Sequence, residues 1–211
     1  MNILYSDEDH FVVLKEAGIS THGRSKSSLV KQVTYDVPIY PVHRLDYGTR
    51  GPVMFAKNLQ ALHMLQRMWP LVDKTYHAWV AGVGLPVKGL CGMPLEGKTS
   101  RTDFQNLGQR RWAIHDRATL VEYKLHTGRT HQIRRHAAAM GHPVVGDAVY
   151  GTSPLFTGQG LHLMCTHLAW KHPITGEDLS VMVSPAKKMR RAIAGAFEVS
   201  QESPFLRLFQ G

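Results

Sequence analysis

The combination of residues in this chain best suited to chemistry is a carboxylate flanked by arginines. Asp46 lies in the segment HRLDYGTRG, residues 43–51, with Arg44 before it and Arg50 after it. A nearby guanidinium keeps an aspartate ionised, and an ionised aspartate can act as a nucleophile or as a base. The alternative is an Asp–Arg pair that only fixes a loop, which is the more common use of such pairs at protein surfaces.

A second segment places basic residues at the predicted start of a helix. Residues 127–136 read TGRTHQIRRH, in which Thr130 can cap a helix that Gly141 ends. The free N–H groups at a helix start favour an anion such as phosphate, and Arg129 can reach into a cleft from there. His131 and His136 are five residues apart, whereas the helical pair of a metalloprotease is four apart.

The remaining histidines and the cysteines also predict no metal site. The chain has 13 histidines without metal-ligand spacing, and its two cysteines, Cys91 and Cys165, are far apart. Such sparse cysteine usage is typical of a reduced, cytoplasmic protein. The first eleven residues are acidic rather than basic, and no stretch approaches 18 consecutive apolar residues, so we expect neither an export signal nor a membrane span.

The charge of the chain favours a polyanionic partner. Its 25 basic and 16 acidic residues give a net charge of +9, and residues 98–135 hold nine basic residues against three acidic ones. A concentrated basic excess indicates RNA or DNA, although a solvated basic surface remains the alternative.

Within the segment KTYHAWVAG, residues 74–82, Tyr76 and His77 face opposite sides of a predicted strand. An aromatic side chain beside a basic cleft can stack on a base, although core packing is its commoner use.

The elements that must position these residues are mostly short strands. We predict strands over 3–5, 11–14, 52–57, 75–81, 119–125 and 161–170, and helices that follow Asn58 and Thr130 and span Pro185–Glu198. Pro70 should stop the helix after Asn58, and the glycine-rich stretch 83–97 reads as a connection. Strands outnumber helices without regular alternation, which favours an α+β fold.

Taken together and in order, these segments resemble the RluA-type pseudouridine synthases. His43–Gly51 resembles the family segment HRLDxxTSG, and Lys74–Gly82 resembles KxYxAxVxG. Thr127–Gly151 resembles TGRTHQIRxHxxxxGHPxxGDxxYG, and Leu161–Gly176 resembles LHxxxLxxxHPxTG. Ile3–Gly23 resembles the opening strand pair of the family.

The resemblance implies a fold and a reaction. The fold is a mixed, mostly antiparallel bent sheet with flanking helices and a central RNA-binding cleft, here as a single catalytic domain over residues 1–211 without a separate N-terminal RNA-binding domain. The reaction isomerises a uridine in structured RNA, transfer or ribosomal, to pseudouridine: the glycosidic bond breaks, the base turns and a carbon–carbon bond forms. It needs no cofactor and no metal, and we expect a monomer.

The resemblance also assigns residues. Asp46 is the catalytic carboxylate, which attacks the anomeric carbon of the sugar, takes a sugar proton or attacks carbon 6 of the base. Arg129 pairs with Asp46, Tyr76 packs on the flipped uracil, and Arg44 enters the vacated stack. Further RNA contacts are expected from Arg50, Thr130, His131, Arg134 and Arg135.

Two positions depart from the family pattern, and two other functions compete with this one. Arg50 replaces the usual serine after Thr49, and Glu16 stands where a proline usually follows Lys15.

The first competing function is that of an RNA-binding module that has lost catalysis, and such a module would not need an intact Asp46. A hydrolytic glycosidase usually has two acids that flank the bond, whereas the matched segments offer one obvious carboxylate.

Overall fold

The computed structural model describes residues 2–23, 28–33, 38–112, 116–151, 160–191 and 197–199. The chain divides into two compact units. The first comprises Met1–Lys74 and Cys165–Val183, and the second comprises Thr75–Met164 and Ser184–Gly211. No helix among the described residues is long and apolar enough to cross a membrane.

The first unit contains an antiparallel sheet with the strand order β1-β2-β4-β3. Its strands are β1 (Ile3–Ser6), β2 (His10–Lys15), β3 (Tyr40–Pro41) and β4 (Gly51–Ala56). All six residues of β4 are buried, and the rings of Phe11 and Phe55 stack with their centroids 5.3 Å apart. The predicted opening strand pair and the strand after Gly51 are confirmed.

Two helices accompany this sheet, α1 (Leu29–Gln32) and α2 (Leu59–Met68). Asn58 caps α2 as predicted, because its side-chain oxygen accepts a hydrogen bond from the N–H of Ala61 at 2.7 Å. The helix ends at Met68, and Pro70 lies in the 3-10 turn that follows. The unit also contains the antiparallel pairing of His167–Lys171 with Asp178–Met182.

The second unit contains an antiparallel sheet with the order β5-β8-β7-β11, and β6 also pairs with β7. The strands are β5 (Asp73–Ala81), β6 (Lys88–Cys91), β7 (Thr102–Trp112), β8 (Asp116–Leu125) and β11 (Phe197–Val199). The helices are α3 (Gln132–Ala139) and α4 (Lys187–Arg191). The paired segments of the first unit belong to β9 (Leu163–Lys171) and β10 (Asp178–Met182).

The α+β class is confirmed, but two predicted elements are wrong. The helix predicted over Pro185–Glu198 is limited to α4, and Phe197–Val199 instead pairs with Arg110–Gly108 of β7; residues 192–196 lie outside the described residues. The stretch 83–97 is not only a connection, since it contains β6. Both strands form by pairing with β7, so their own local sequence patterns do not reveal them.

Candidate active site

Asp46 lies in the loop between β3 and β4, and the segment that follows β2 holds this loop. The N–H of Leu45 donates to Oγ1 of Thr21 at 3.1 Å, and the carbonyl of Leu45 accepts a hydrogen bond from the same hydroxyl group at 3.2 Å. On the other side of Asp46, the carbonyl of Tyr47 accepts from the N–H of Gly18 at 2.8 Å. Both neighbours of Asp46 are therefore fixed by one short segment, residues 15–21.

The far end of the loop is fixed by an unusually close backbone approach. The N–H of Cys165 donates to the carbonyl of Arg50 at 2.9 Å. Gly51 has φ +154°, and a Cβ atom at this position would lie 2.6 Å from Cβ of Cys165. Only glycine fits such an approach in this conformation, so Gly51 sets where the loop ends and β4 begins.

A buried lysine at the end of β2 supports the same loop. Nζ of Lys15 donates to the carbonyls of Ile19 at 2.7 Å, Glu16 at 3.0 Å and Tyr47 at 3.4 Å. Burial lowers the pKa of Lys15 to about 8, while the negative charges of Asp46 and Glu16 act in the opposite direction. Sequence analysis did not select Lys15 as a functional residue, although a lysine that ends an apolar strand was the available signal.

His43 fixes the start of the loop as a neutral ring. It stacks on Trp69 with a centroid distance of 4.0 Å, and its Nε2 accepts a hydrogen bond from the N–H of Met54 at 3.1 Å. Desolvation lowers the pKa of His43 to about 3, which agrees with an acceptor nitrogen that carries no proton.

The two arginines of the loop differ in their surroundings. Arg44 is exposed. Nε of Arg50 donates to both carboxylate oxygens of Glu16, at 3.1 and 2.9 Å, and its side chain is 17% exposed. The two residues that depart from the family pattern are therefore in contact with each other.

Tyr76 belongs to the second unit, where it lies in a row of aromatic residues. It pairs directly with Tyr123 of β8, which in turn pairs with Phe104 of β7. Directly paired residues share one face of a sheet, so these three rings lie side by side. Tyr76 retains 9% exposure and Tyr123 none. The predicted strand is confirmed, and its aromatic face ends in a ring that remains slightly accessible.

Arg129 precedes α3, whose start differs from the prediction. The cap position is His131, which adopts a left-handed conformation with φ +54° and makes no capping hydrogen bond with its side chain, so the predicted cap at Thr130 is wrong. Instead, Oε1 of Gln132 accepts the N–H of Arg129 at 3.0 Å. Nε of Arg129 donates to the carbonyl of Thr99 at 3.1 Å, and the residue is exposed.

Arg134 has a structural partner that sequence analysis did not assign. Its Nε and Nη2 donate to the two carboxylate oxygens of Asp147 at 2.7 and 2.8 Å, and both residues are buried. Burial raises the pKa of Asp147, but the hydrogen bonds from Arg134 and from the backbone outweigh this effect and lower it. Because its guanidinium is committed to Asp147, we leave Arg134 out of the proposed RNA surface.

Of the other three predicted RNA contacts near α3, Thr130 is exposed, and Arg135 and His131 contact protein groups. Nη1 of Arg135 lies 2.9 Å from Oε1 of Glu96, an exposed ion pair. Nδ1 of His131 lies 3.1 Å from the hydroxyl of Tyr150. Asp46 belongs to the first unit and Arg129 to the second, so their predicted pairing stays a prediction.

One cluster in the first unit has the composition of a metal site. A carboxylate oxygen of Asp7, Nδ1 of His10 and Nε2 of His172 lie within 4.8 Å of one another. The indole N–H of Trp170 can only donate, and it donates to Nε2 of His10 at 3.0 Å. The proton of the neutral His10 ring is therefore on Nδ1, which lies 3.0 Å from Oδ2 of Asp7 without the alignment of a regular hydrogen bond.

The second histidine of the cluster is fixed in the same way. Nδ1 of His172 accepts the backbone N–H groups of Ile174 and Thr175, each at 3.1 Å, so its proton is on Nε2, 3.1 Å from Asp7. The His172 ring therefore directs its N–H group at Asp7, the N–H group of His10 lies beside the same carboxylate, and the lone pairs of the two rings that a metal needs are already used. We call Tyr5, Asp7, His10, Trp170 and His172 the Asp7 cluster, and it joins two hairpins of the first unit. It also gives the HPITG segment a structural role.

Comparisons with known proteins identify the family of this chain. The sequence model of a family described as RNA pseudouridylate synthase matches residues 9–139. An uncharacterized RNA pseudouridine synthase of Aquifex aeolicus is 33% identical over 84% of this chain and 67% of its own length. The dual-specificity RNA pseudouridine synthase RluA of Vibrio vulnificus is 32% identical over 81% of this chain and 78% of its own length.

A solved structure extends the similarity to the fold. The chain is similar to human RNA pseudouridylate synthase domain containing 1 with a TM-score of 0.79 and 25% identity, over 99% of this chain and 94% of the human one. The chain spans about two thirds of the length of its curated relatives: 67% of the Aquifex aeolicus protein and 66% of an uncharacterized RNA pseudouridine synthase of Bacillus subtilis.

Proposed function

The chain belongs to the RNA pseudouridylate synthase family, and from this premise we propose that it isomerises a specific uridine in structured RNA, with Asp46 as the catalytic carboxylate. The observation that carries the proposal is the construction of the Asp46 loop. Thr21 and Gly18 hold the two neighbours of Asp46, and Gly51 fixes the end of the loop. A catalytic group must be held in place to act, and here the chain holds the backbone on both sides of it.

The target base in folded RNA must leave its stack, which costs a few kcal/mol. In this proposal Arg44 fills the vacated position, and Tyr76 packs on the flipped uracil. The exposure of Arg44 and the remaining accessibility of Tyr76 support these roles. Asp46 then attacks the anomeric carbon, takes a sugar proton or attacks carbon 6 of the base, and the glycosidic bond is replaced by a carbon–carbon bond.

Two positive charges are proposed to act on the Asp46 carboxylate. Lys15 brings a buried positive charge beneath the loop, and Arg129 is the proposed partner of Asp46. Positive charge near a carboxylate favours its ionised form, which each of the three routes needs at the start. Isomerisation involves no net oxidation and transfers no group from a second molecule, so the proposed reaction uses no cofactor.

The proposed substrate is transfer or ribosomal RNA, recognised by an enzyme that acts as a monomer in the cytoplasm. The name of the Vibrio relative, a dual-specificity RNA pseudouridine synthase, supports an RNA substrate. Exposed basic residues between 98 and 135 supply phosphate contacts in this proposal, among them Lys98 and Lys124. The chain has only two cysteines, and such sparse usage fits a reducing compartment.

The test combines cells and purified protein. Pseudouridines are mapped in total RNA from cells with the protein, without it, and complemented with Asp46→Asn or with Asp178→Asn. Asp178 is an exposed carboxylate at the end of β10 and serves as the matched control. We expect one or a few pseudouridines to vanish without the protein and to return only with the wild type and Asp178→Asn.

The purified enzyme is then assayed on the mapped RNA by tritium release from uridine labelled at carbon 5. Unchanged pseudouridine maps in the absence of the protein, together with no tritium release in vitro, would overturn the proposed activity. Substantial release by Asp46→Asn would leave the activity in place but remove Asp46 from the catalytic role.

A further inference from the structure

We infer that the ion pair between Glu16 and Arg50 positions the Asp46 loop, so that Arg50 is a positioning residue rather than an RNA contact. The inference rests on the proposed function, because it assigns a role within the same site. It concerns the two positions at which the chain departs from the family pattern, and it explains why both depart together.

The location of the pair follows from the strand register. β2 and β4 are paired in antiparallel register up to Lys15 and Gly51. Glu16 and Arg50 are the next residues on either side, where the backbone ladder ends. Nε of Arg50 contacts both oxygens of Glu16 at 3.1 and 2.9 Å, so a side-chain pair continues the connection that the backbone no longer makes.

The pair is linked to Asp46 through a short stretch of backbone. The carbonyl of Asp46 accepts the N–H of Thr49 at 3.0 Å, which closes a turn directly before Arg50. The carbonyl of Arg50 accepts the N–H of Cys165 at 2.9 Å. Arg50 thus has its backbone tied to β9 and its side chain tied to the end of β2, and a shift at this residue is transmitted through one turn to Asp46.

Glu16 is itself connected to the support beneath the loop. Its carbonyl accepts a hydrogen bond from Nζ of Lys15 at 3.0 Å, and Lys15 also contacts the carbonyl of Tyr47, the residue after Asp46. The carboxylate of Glu16 therefore holds Arg50, and its carbonyl holds Lys15, which in turn contacts Tyr47 within the loop.

The surroundings of Arg50 argue against a phosphate contact. Its side chain is 17% exposed, and the carboxylate it contacts is 57% exposed. A phosphate that approached Arg50 would meet the negative charge of Glu16, which occupies the Nε donor, and would have to displace it. Exposed arginines without such a carboxylate neighbour are better suited to bind RNA.

The alternative is an ordinary surface ion pair without consequence. Exposed pairs contribute little to stability, with a typical coupling that corresponds to a factor of about five or less. A positioning role differs from this alternative in what it changes: the rate of the chemical step, and neither RNA affinity nor global stability. A displacement of about 1 Å at a catalytic group lowers the rate strongly, so a weak pair in this location has a measurable effect.

The experiment is a double-mutant cycle with Glu16→Gln, Arg50→Gln and the combined variant, together with the charge-swapped variant E16R/R50E. Each is assayed for its single-turnover rate of pseudouridine formation with enzyme in excess, for its RNA Kd, and for its Tm. The matched control is Asp178→Asn, which removes an exposed ion pair of the first unit, 2.7 Å from Nζ of Lys171.

We expect each single variant to lower the single-turnover rate roughly threefold to fivefold. The combined variant should be no slower than the slower single variant, and the charge swap should restore part of the rate. RNA Kd, Tm and the control should remain near the wild-type values.

Three results would overturn the inference while the wild type remains active, and so would leave the proposed function intact. An unchanged rate with weaker RNA binding in Arg50→Gln would make Arg50 an RNA contact. Additive losses in the combined variant would show that the two residues act independently. Wild-type rates in all four variants would make the pair an ordinary surface contact. An inactive wild type would instead count against the proposed function.

Discussion

Two aspartates of the first unit, Asp7 and Asp46, are supported in opposite ways. The carboxylate of Asp7 accepts the hydroxyl of Tyr5 and the N–H groups of Asp9 and His10, each at 2.7 Å. The Asp7 cluster adds two histidine rings to the same carboxylate. Around Asp46, by contrast, the contacts that fix the loop are made by the backbone of the neighbouring residues.

This difference shows two ways in which the first unit fixes an aspartate. The oxygens of Asp7 are stabilised as acceptors, and their lone pairs are used within the fold. The Asp46 loop is fixed through the backbone of Leu45 and Tyr47. Both aspartates lie near histidines and aromatic rings, so residue type alone does not distinguish them.

The largest effect expected from this comparison is on the rate with Asp46→Asn. The amide cannot act as nucleophile or base, so the single-turnover rate should fall by at least about a thousandfold. Because the loop is held by its backbone, the free energy of unfolding should stay within about 0.5 kcal/mol of the wild type. Urea unfolding and tritium release on the same preparation check both parts. A large loss of stability would show that Asp46 is structural, like Asp7.

The next effect tests the support of the loop rather than the carboxylate. Gly51→Ala introduces a Cβ atom that would lie 2.6 Å from Cys165, so backbone must move. We expect a loss of about 2–3 kcal/mol in the free energy of unfolding and a clear loss of rate in the folded protein. Gly23→Ala is the control, since Gly23 has a similar φ of +142° but nothing within 4 Å of an added Cβ. Equal effects of the two substitutions would attribute the loss to backbone strain alone.

A smaller effect, on stability only, is expected for Asp7→Asn. The amide N–H group would face the Nε2–H group of His172, which would lose its acceptor, and the nearby Nδ1–H group of His10. We expect a loss of about 2 kcal/mol in the free energy of unfolding and a single-turnover rate within twofold of the wild type. Denaturant titration and rate measurement check this, with Asp9→Asn in the same turn as the control. A rate loss as large as that of Asp46→Asn would contradict the division between the two aspartates.

The smallest effect is the pH dependence of the Asp7 contribution. Burial raises the pKa of Asp7, but hydrogen bonds from Tyr5 and from the N–H groups of His10 and Asp9 outweigh this and lower it. Its contribution is therefore complete above the unfolded-state pKa of about 3.9 and is lost as the pH falls through the lower folded-state pKa. The stability gap between the wild type and Asp7→Asn should be constant near neutral pH and shrink below about pH 4. We expect a change under about 1 kcal/mol, because the turn is partly exposed. If the stability difference between the wild type and Asp7→Asn already shrinks at pH 6, the titrating group is a histidine and not Asp7.

The elements that could be predicted from the sequence are those set by local signals. Asn58 and Pro70 delimit α2 through a cap and a break that act within a few residues. β11 could not be predicted, because Phe197 fits the apolar period of a helix that continues from Met189, and only pairing with β7 makes it a strand.

The same distinction holds for the site. The segment with Asp46 is apparent from its sequence, whereas Lys15 is not, because its role depends on burial against carbonyls of a loop far along the chain. Arg134 was assigned to RNA from its place in a basic run. Its partner Asp147 lies in the same matched segment, so an Arg–Asp pair within that segment was a signal that could have been used.

The close approach of Gly51 to Cys165 has a consequence for how the protein is made. A ribosome synthesises the Asp46 loop early, but the strand against which Gly51 packs emerges only after β5 to β8 have been completed. Until then, the turn before Gly51 lacks the neighbour that fixes its end. The nascent chain therefore completes the contacts of the Asp46 loop late in translation, and a chain released before β9 lacks the contact that fixes the end of this loop.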